Sequence, residues 1–358
     1  MTLEFRAISK TYGKIKALDA LDLNVEAGSF TVLCGPPKSG KSSLFRILVG
    51  LDQPDTGQIL LAGRDIVASP PALRPVGYVP QNFALYPHLT VAQNMAYPLT
   101  LAKFPKDEIA RRVDRTAAIL SITHLLAKTP DQLSGGEKQR VAVARGLLKD
   151  AEIFVLDDPL VGLDYKLRER LMDELKSLRE ALKATFLYAT SDSLEALSMA
   201  QSLAVIDHGR IIQSAPPTTI YHQPATLRAM ELIGFPQANL IPGTQYDGAL
   251  TAGPFTFAAT GANRAVTLGI RPEHIQIGRA DTGLPARVTL VENLGGEAVV
   301  YLDAKGQALT CAMLLMDTAP PEIDAQVGIT VAPGTVLAFD ATTGAQINDI
   351  LLKEIAHG

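Results

Sequence analysis

The 358-residue chain is 47% hydrophobic and 20% charged, with a formal net charge of −4 and a pI near 5.9. That balance is ordinary for a globular protein with core enough for two or three domains, and it excludes a general electrostatic attraction for nucleic acid. The two cysteines, Cys34 and Cys311, make no disulfide framework or metal spacing and read as buried small apolar residues.

Residues 1–33 read as strands and turns. The β-rich run "GSFTVLC" leads into "GPPKSGKSS". There follows "SSLFRILVGL", whose helical spacing sets Leu44, Ile47, Leu48 and Leu51 on one face. "GQILLAGRDI" is hairpin-like. "KDEIARRVDRTAAILSI" is amphipathic, with Ile109, Val113, Ala117 and Leu120 as its apolar stripe. "AEIFVLDDP", "ATFLYATSD" and "SLAVIDHGRII" are short apolar runs separated by helical stretches. This rhythm predicts an α/β domain with a largely parallel sheet. Near residue 235 the texture changes to "GFPQANLIPG" and then to short β runs such as "FTFAAT", "ARVTLVENLGGEAVVYLDA" and "GITVAPGTVLAFD". The reading is therefore a first domain over 1–234, with a helical subdomain at about 85–150, and a β-barrel-like domain over 235–358. No apolar run reaches the ~18–20 residues that span a bilayer. "MTLEFRAISK" carries no secretory leader. A cytoplasmic protein is expected, reaching a membrane only through partners.

Three motifs carry chemistry. "GPPKSGKS", Gly35 to Ser42, fits G-x-x-x-x-G-K-[ST] and lies between a predicted strand and a predicted helix, the context the motif requires. Its backbone N–H groups and the helix N-terminus make an anion nest. Lys41 reaches toward β- and γ-phosphates, and the Ser42 hydroxyl toward Mg²⁺. Pro37 lacks an N–H and Lys38 is bulky, but Ser39, Gly40, Lys41, Ser42 and Ser43 still supply donors. In "IFVLDD", Asp157 closes a buried strand as a Mg²⁺-holding carboxylate would. In "LSGGEKQR", Leu133 to Arg140, a glycine pair opens a helix as a second phosphate-facing turn. Alone that turn is weak. In this order after a P-loop it is specific.

Together "GPPKSGKS", "YVPQNFALYPHLTV", "LSGGEKQRVAVARGL", "FVLDDPLVGLD" and "LGIRPEHI" resemble the ATP-binding subunits of ABC transporters, in the style of the sugar, polyol and glycerol-phosphate importers. "LGIRPEHI" resembles their C-terminal regulatory OB-type domain. "GPPKSGKSSLFRILVGLD", "LDYKLRE" and "YATSDSLEAL" resemble one of the two unlike ATPases of bacterial glycerol importers. The resemblance implies a P-loop NTPase domain followed by a β-rich OB-type domain, with ATP and Mg²⁺ bound. It implies nucleotide contacts from Gly35, Pro36, Lys38, Ser39, Gly40, Lys41, Ser42 and Ser43. Tyr12 would stack on adenine, although a routine strand aromatic reads the same way. Gln81 would touch Mg²⁺ or the attacking water beside the surface that receives the membrane subunit. Mg²⁺ would also meet Ser42 and Asp157. Ser134, Gly135 and Gly136 would face the γ-phosphate of nucleotide held by an opposite subunit, and Asp164 would line that interface. His88 reads as structural or surface. Implied partners are two transmembrane permeases, a second ATPase subunit and, indirectly, an extracytoplasmic substrate-binding protein. The implied location is the cytoplasmic face of the bacterial inner membrane, as a peripheral subunit.

Two positions depart from the family pattern. Asp158 stands where a glutamate usually follows the Mg²⁺ carboxylate, a retreat on the order of 1 Å that can cost ~10²-fold in rate. Ser191 stands in "YATSD" where the family reads Thr-His-Asp; serine is shorter and never cationic. Both changes fall on one composite site, while "LSGGE" is intact. The expectation is a heterodimer whose own P-loop site hydrolyses slowly and whose signature completes a better site on a partner. A homodimer with two slow sites remains the alternative. A soluble repair or translation ATPase is disfavoured by the single P-loop and the β-rich tail, and an exporter by "LGIRPEHI".

Overall fold

The computed structural model describes residues 2–182, 184–315, 319–348 and 352–354. The chain divides into two compact units, Met1–Pro217 and Thr218–Gly358. In the first, chain order is β1 (Leu3–Tyr12), β2 (Ile15–Val25), β3 (Phe30–Cys34), α1 (Lys41–Val49), β4 (Thr56–Leu61), β5 (Arg64–Asp65), β6 (Val76–Val79), α2 (Val91–Leu101), α3 (Lys106–Ile119), α4 (Gly135–Leu147), β7 (Ile153–Asp157), α5 (Tyr165–Leu182), β8 (Thr185–Thr190), α6 (Ser193–Met199), β9 (Ser202–Asp207) and β10 (Arg210–Ala215).

Six strands form a sheet in the order β10-β9-β3-β8-β7-β6, parallel except for the β9–β10 edge. Every residue of β3, β7 and β8 is buried, as continuous apolar runs in a covered parallel sheet should be. An antiparallel sheet, β2-β1-β4-β5, contributes Leu3, Phe5, Ile8 and Ile59 to the same buried cluster as Leu44, Phe45, Ile47 and Leu48 of α1. Each such fully buried side chain is worth about 1.5–3 kcal/mol, so α1 is firmly anchored. Helix α1 ends before Leu51, which is 53% exposed rather than on the buried face the sequence suggested. Gly50, at φ 85°, turns the chain left-handed and donates its N–H to the Arg46 and Ile47 carbonyls, a glycine stop.

The helical segment comprises α2, α3 and α4. The starts of α2 and α4 are each fixed by a capping box, Thr90 with Gln93 and Ser134 with Glu137. On α3 the stripe is real: Val113, Ala117 and the following Leu120 are buried.

The second unit holds α7 (beginning at Pro217, Pro217–His222) and α8 (Leu227–Leu232), then β11 (Asn239–Tyr246), β12 (Ala249–Ala252), β13 (Phe255–Ala259), β14 (Arg264–Ile270), β15 (Ile275–Gly278), β16 (Leu284–Asn293), β17 (Glu297–Ala304), β18 (Gln307–Leu314), β19 (Gln326–Val331), β20 (Leu337–Asp340) and β21 (Leu352–Glu354). Two antiparallel sheets, β20-β14-β11-β12-β13-β21 and β15-β19-β16-β17-β18, enclose one buried cluster. The Asn239 amide ties them, donating to the Ile270 carbonyl at 3.3 Å and the Thr310 carbonyl at 2.8 Å. The unit begins earlier than the Pro/Gly texture at residue 235 suggested. The Arg271 guanidinium draws the helical lead-in onto β14, donating to the carbonyls of Tyr221 (3.0 Å), Met230 (3.1 Å) and Ile233. Both cysteines are buried and free, as expected.

Candidate nucleotide-binding site

The loop between β3 and α1 is held open by glycine. A Cβ at Gly35 would overlap the Ile206 carbonyl oxygen, and one at Gly40, whose φ is 112°, would overlap that of Ala17. No side chain caps the N–H groups that open α1. The Lys41 ammonium is buried beneath them and donates to the carbonyls of Gly35 at 2.6 Å and Pro36 at 3.1 Å. Burial lowers its pKa, opposed by the nearby Asp158 and Asp157 carboxylates.

The loop forms one wall of a cleft of about 530 Å³. The cleft gathers Tyr12, Lys38, Ser39, Gly40, Lys41, Ser42, Ser43, Gln81, Asp158 and Ser191. These come from five separated stretches of chain. Gly35 and Pro36 contribute through the carbonyls that hold Lys41. Asp157 lies buried behind the wall, accepting from the Ser42 hydroxyl at 3.0 Å and from the Tyr78 hydroxyl at 3.3 Å. Ser134, Gly135 and Gly136 do not line this cleft. Ser134 caps α4 by accepting the Glu137 N–H, and the Leu167 side chain packs so closely on Gly136 that a Cβ there would overlap it. Asp164 caps the next helix, accepting from the Leu167 N–H at 3.0 Å, and His88 lies exposed near the Tyr86 ring.

Asp158 follows β7 in a left-handed turn, φ 45°, with its N–H donated to the Ala189 carbonyl at 3.0 Å. Burial raises its pKa, countered by Lys41 and by a hydrogen bond from the Ser191 backbone N–H. Ser191 and Asp158 thus stand near each other, and both line the cleft. The bracing behind them was not foreseen. The Thr190 hydroxyl donates to Glu195 at 2.8 Å while accepting the Asp192 N–H at 3.0 Å. Asp192 caps α6 and pairs with Arg168 of α5 at 2.8 Å. Burial pushes the Glu195 carboxyl up to about 8. The D-x-x-E spacing of Asp192 and Glu195, a helix-start signature, was the signal available in the sequence.

The site fits a nucleotide phosphate. The Ser39 hydroxyl, 97% buried in the loop, has no partner among the described residues, and a buried hydroxyl left that way is costly until a ligand meets it. A divalent cation would find one hydroxyl and one carboxylate, Ser42 and Asp157. That suits Mg²⁺, which completes its shell with phosphate oxygens and water. No group of three or more His, Cys, Asp or Glu among the described residues offers an all-protein cage.

A protein-family model described as "ABC transporter" matches residues 18–161, and one described as "TOBE domain" matches residues 268–339. An uncharacterised ABC transporter ATP-binding protein, y4oS of Sinorhizobium fredii, is 39% identical, covering 96% of this chain and 94% of its own. The chain belongs to the ABC transporter ATP-binding proteins. Within that family it is 37% identical to the sn-glycerol-3-phosphate import ATP-binding protein UgpC of Ruegeria pomeroyi, over 94% of this chain and 97% of that one. The cassette MJ0796, solved as a dimer in a post-hydrolysis state with ADP and Pi, aligns at a TM-score of 0.55 and 28% identity, covering 60% of this chain and 98% of its own. The family is that of ABC ATPases, and the second unit is its β-rich TOBE domain. No helix among the described residues is long and apolar enough to cross a membrane.

Proposed function

We propose that the chain is the ATP-binding subunit of a membrane importer for glycerol, glycerol phosphate or a related polyol or sugar. In this reading its own site grips ATP well and hydrolyses it slowly. The single observation behind the slow site is that Asp158 and Ser191 line the cleft together and both carry short side chains.

In this reading Tyr12 stacks on adenine, with its hydroxyl anchored to Asp52 at 2.6 Å. The α1 N-terminus and Lys41 take the phosphates; Lys41 exchanges the Gly35 and Pro36 carbonyls for phosphate oxygens. Mg²⁺ held by Ser42 and Asp157 would neutralise phosphate charge. Gln81 and Asp158 orient the attacking water. Asp158, with its pKa raised by burial, accepts a proton more readily than an exposed aspartate.

Because Ser134, Gly135 and Gly136 lie away from the cleft, a second ATPase must bring its own signature to this P-loop. This chain's signature then serves the partner's site, and the intact signature beside the short Asp158 and Ser191 supports an unlike partner, a heterodimer. A groove of about 760 Å³, lined by Leu73, Tyr78, Tyr86, Tyr97, Leu101 and Arg145, suits a permease helix. Leu73 and Leu101 are 76% and 73% exposed there. Tyr78 lines that groove and also donates to Asp157, so a push on the groove reaches the metal carboxylate. The assembly would sit on the cytoplasmic face of the bacterial inner membrane as a peripheral subunit, fed by an extracytoplasmic binding protein.

Phosphate release by the chain alone, compared with the chain plus permeases and second ATPase, tests the reading. The expected rate alone is ~10²-fold lower. Equal rates would sink the slow site, and a full substrate-stimulated rate without any second ATPase would sink the heterodimer.

A further inference from the structure

The cleft holds two lysines in opposite states. Lys41 is buried, with its ammonium bonded to loop carbonyls. Lys38 is exposed on the cleft wall, and its ammonium makes no hydrogen bond or ion pair among the described residues. Lys38 also sits at φ 67°, in the left-handed region that suits glycine and penalises a residue with a Cβ. Backbone outliers of this kind persist where the surroundings impose them, at binding sites above all. Its neighbour Pro37 offers no N–H. This part of the loop has thus lost one neutral donor and displays one mobile cation.

The electrostatics of the cleft give that cation a use. A nucleoside triphosphate brings several negative charges to a site that already has Asp158 in its wall and Asp157 buried just behind it. Gln81 is neutral, and Ser191 adds no charge where an imidazole would. Lys41 is set low beneath the loop. The cleft's other cation is Lys38, on a flexible four-carbon stem, sharing the cleft with Gln81, Asp158 and Ser191.

We propose that Lys38 is a terminal-phosphate clamp: its ammonium closes onto the γ-phosphate of bound nucleoside triphosphate and supplies the positive charge that Ser191 cannot. The inference rests on the nucleotide-site reading above. It makes the chain a sensor of the third phosphate even with a weak hydrolytic centre, because a γ-directed cation contributes to ATP binding and not to ADP binding.

The test measures displacement of a fluorescent ATP analogue by ATP and by ADP, at low and high salt, for the wild type, Lys38→Gly, Lys38→Arg and Lys41→Ala. Glycine fits φ 67°, so Lys38→Gly is expected to fold with unchanged or higher thermal stability. Its affinity for ATP should fall about tenfold while ADP stays within about twofold. Lys38→Arg should keep the discrimination, and the wild-type preference for ATP should shrink at high salt. If Lys38→Gly weakens ATP and ADP equally, or neither, while Lys41→Ala abolishes both, the clamp is overturned and the nucleotide site stands. A wild-type chain that binds neither nucleotide overturns both.

Discussion

At the P-loop end of the cleft, the charged and polar groups behind the wall are bonded inward. Lys41 meets two carbonyls, Ser42 meets Asp157, and Asp157 meets Tyr78. At the switch end, Asp158 and Ser191 line the cleft, and Ser191 is exposed. Binding needs many small donors converging on a fixed anion, which a loop and a helix start supply from the backbone. Hydrolysis needs long side chains that place one water within a fraction of an ångström. The first can persist where the second has been shortened. On the proposed reading, grip and trigger are physically separable in this protein.

The contrast can be broken most forcefully by rebuilding the switch end. The double variant Asp158→Glu with Ser191→His, measured by steady-state phosphate release in the assembled complex, should raise turnover at this site by ~10²-fold. An unchanged rate would mean that the slow step lies elsewhere and that the two ends are equally competent. A smaller effect is expected at the binding end. Tyr12→Ala should weaken ATP and ADP alike by about 5–10-fold in a titration, as loss of one stacked base does. Tyr12→Phe, which loses only the Asp52 bond, should change little; if it matches alanine, the hydroxyl and not the ring carries the contact.

The smallest effect sharpens the bracing behind the switch. The folded Glu195 carboxyl titrates near 8 against an ordinary 4.5. Its favourable contribution is therefore complete below about pH 4.5 and is lost as pH rises through about 8. Wild-type Tm should fall across that window relative to Glu195→Gln by about 2–4 °C for each kcal/mol at stake. Parallel profiles for the two proteins would show that Glu195 does not titrate in the fold.

How much was legible depended on sequence distance. The P-loop, the strand-end Asp157 and the signature turn are contiguous patterns, and their elements formed where the patterns placed them. The apolar spacing of α1 runs on to Leu51, but Gly50 turns left-handed and ends the helix before it. The unit boundary was drawn at a Pro/Gly texture. The chain instead follows Arg271, which captures the carbonyls of Tyr221, Met230 and Ile233 from far upstream. Asp158 and Ser191 come together because β7 and β8 pair in parallel with Asp157 opposite Ala189, a register no local motif states. The orphaned Ser39 hydroxyl and the left-handed Lys38 were equally invisible, since both are properties of a folded loop.

The sequence by itself determined the groups available: a glycine loop carrying lysines and hydroxyls, a carboxylate closing a strand, a second carboxylate after it, and a serine at position 191. These follow from residue type and local spacing, which act over a few bonds. Only the tertiary structure decided how those groups meet. Burial moved the pKa values of Lys41, Asp157, Asp158 and Glu195, and strand register brought Ser191 near Asp158. One of the two loop lysines, Lys38, was left exposed with no hydrogen bond or ion pair among the described residues. Burial and register are set by contacts between distant segments, and they exist only once the chain has closed around its core.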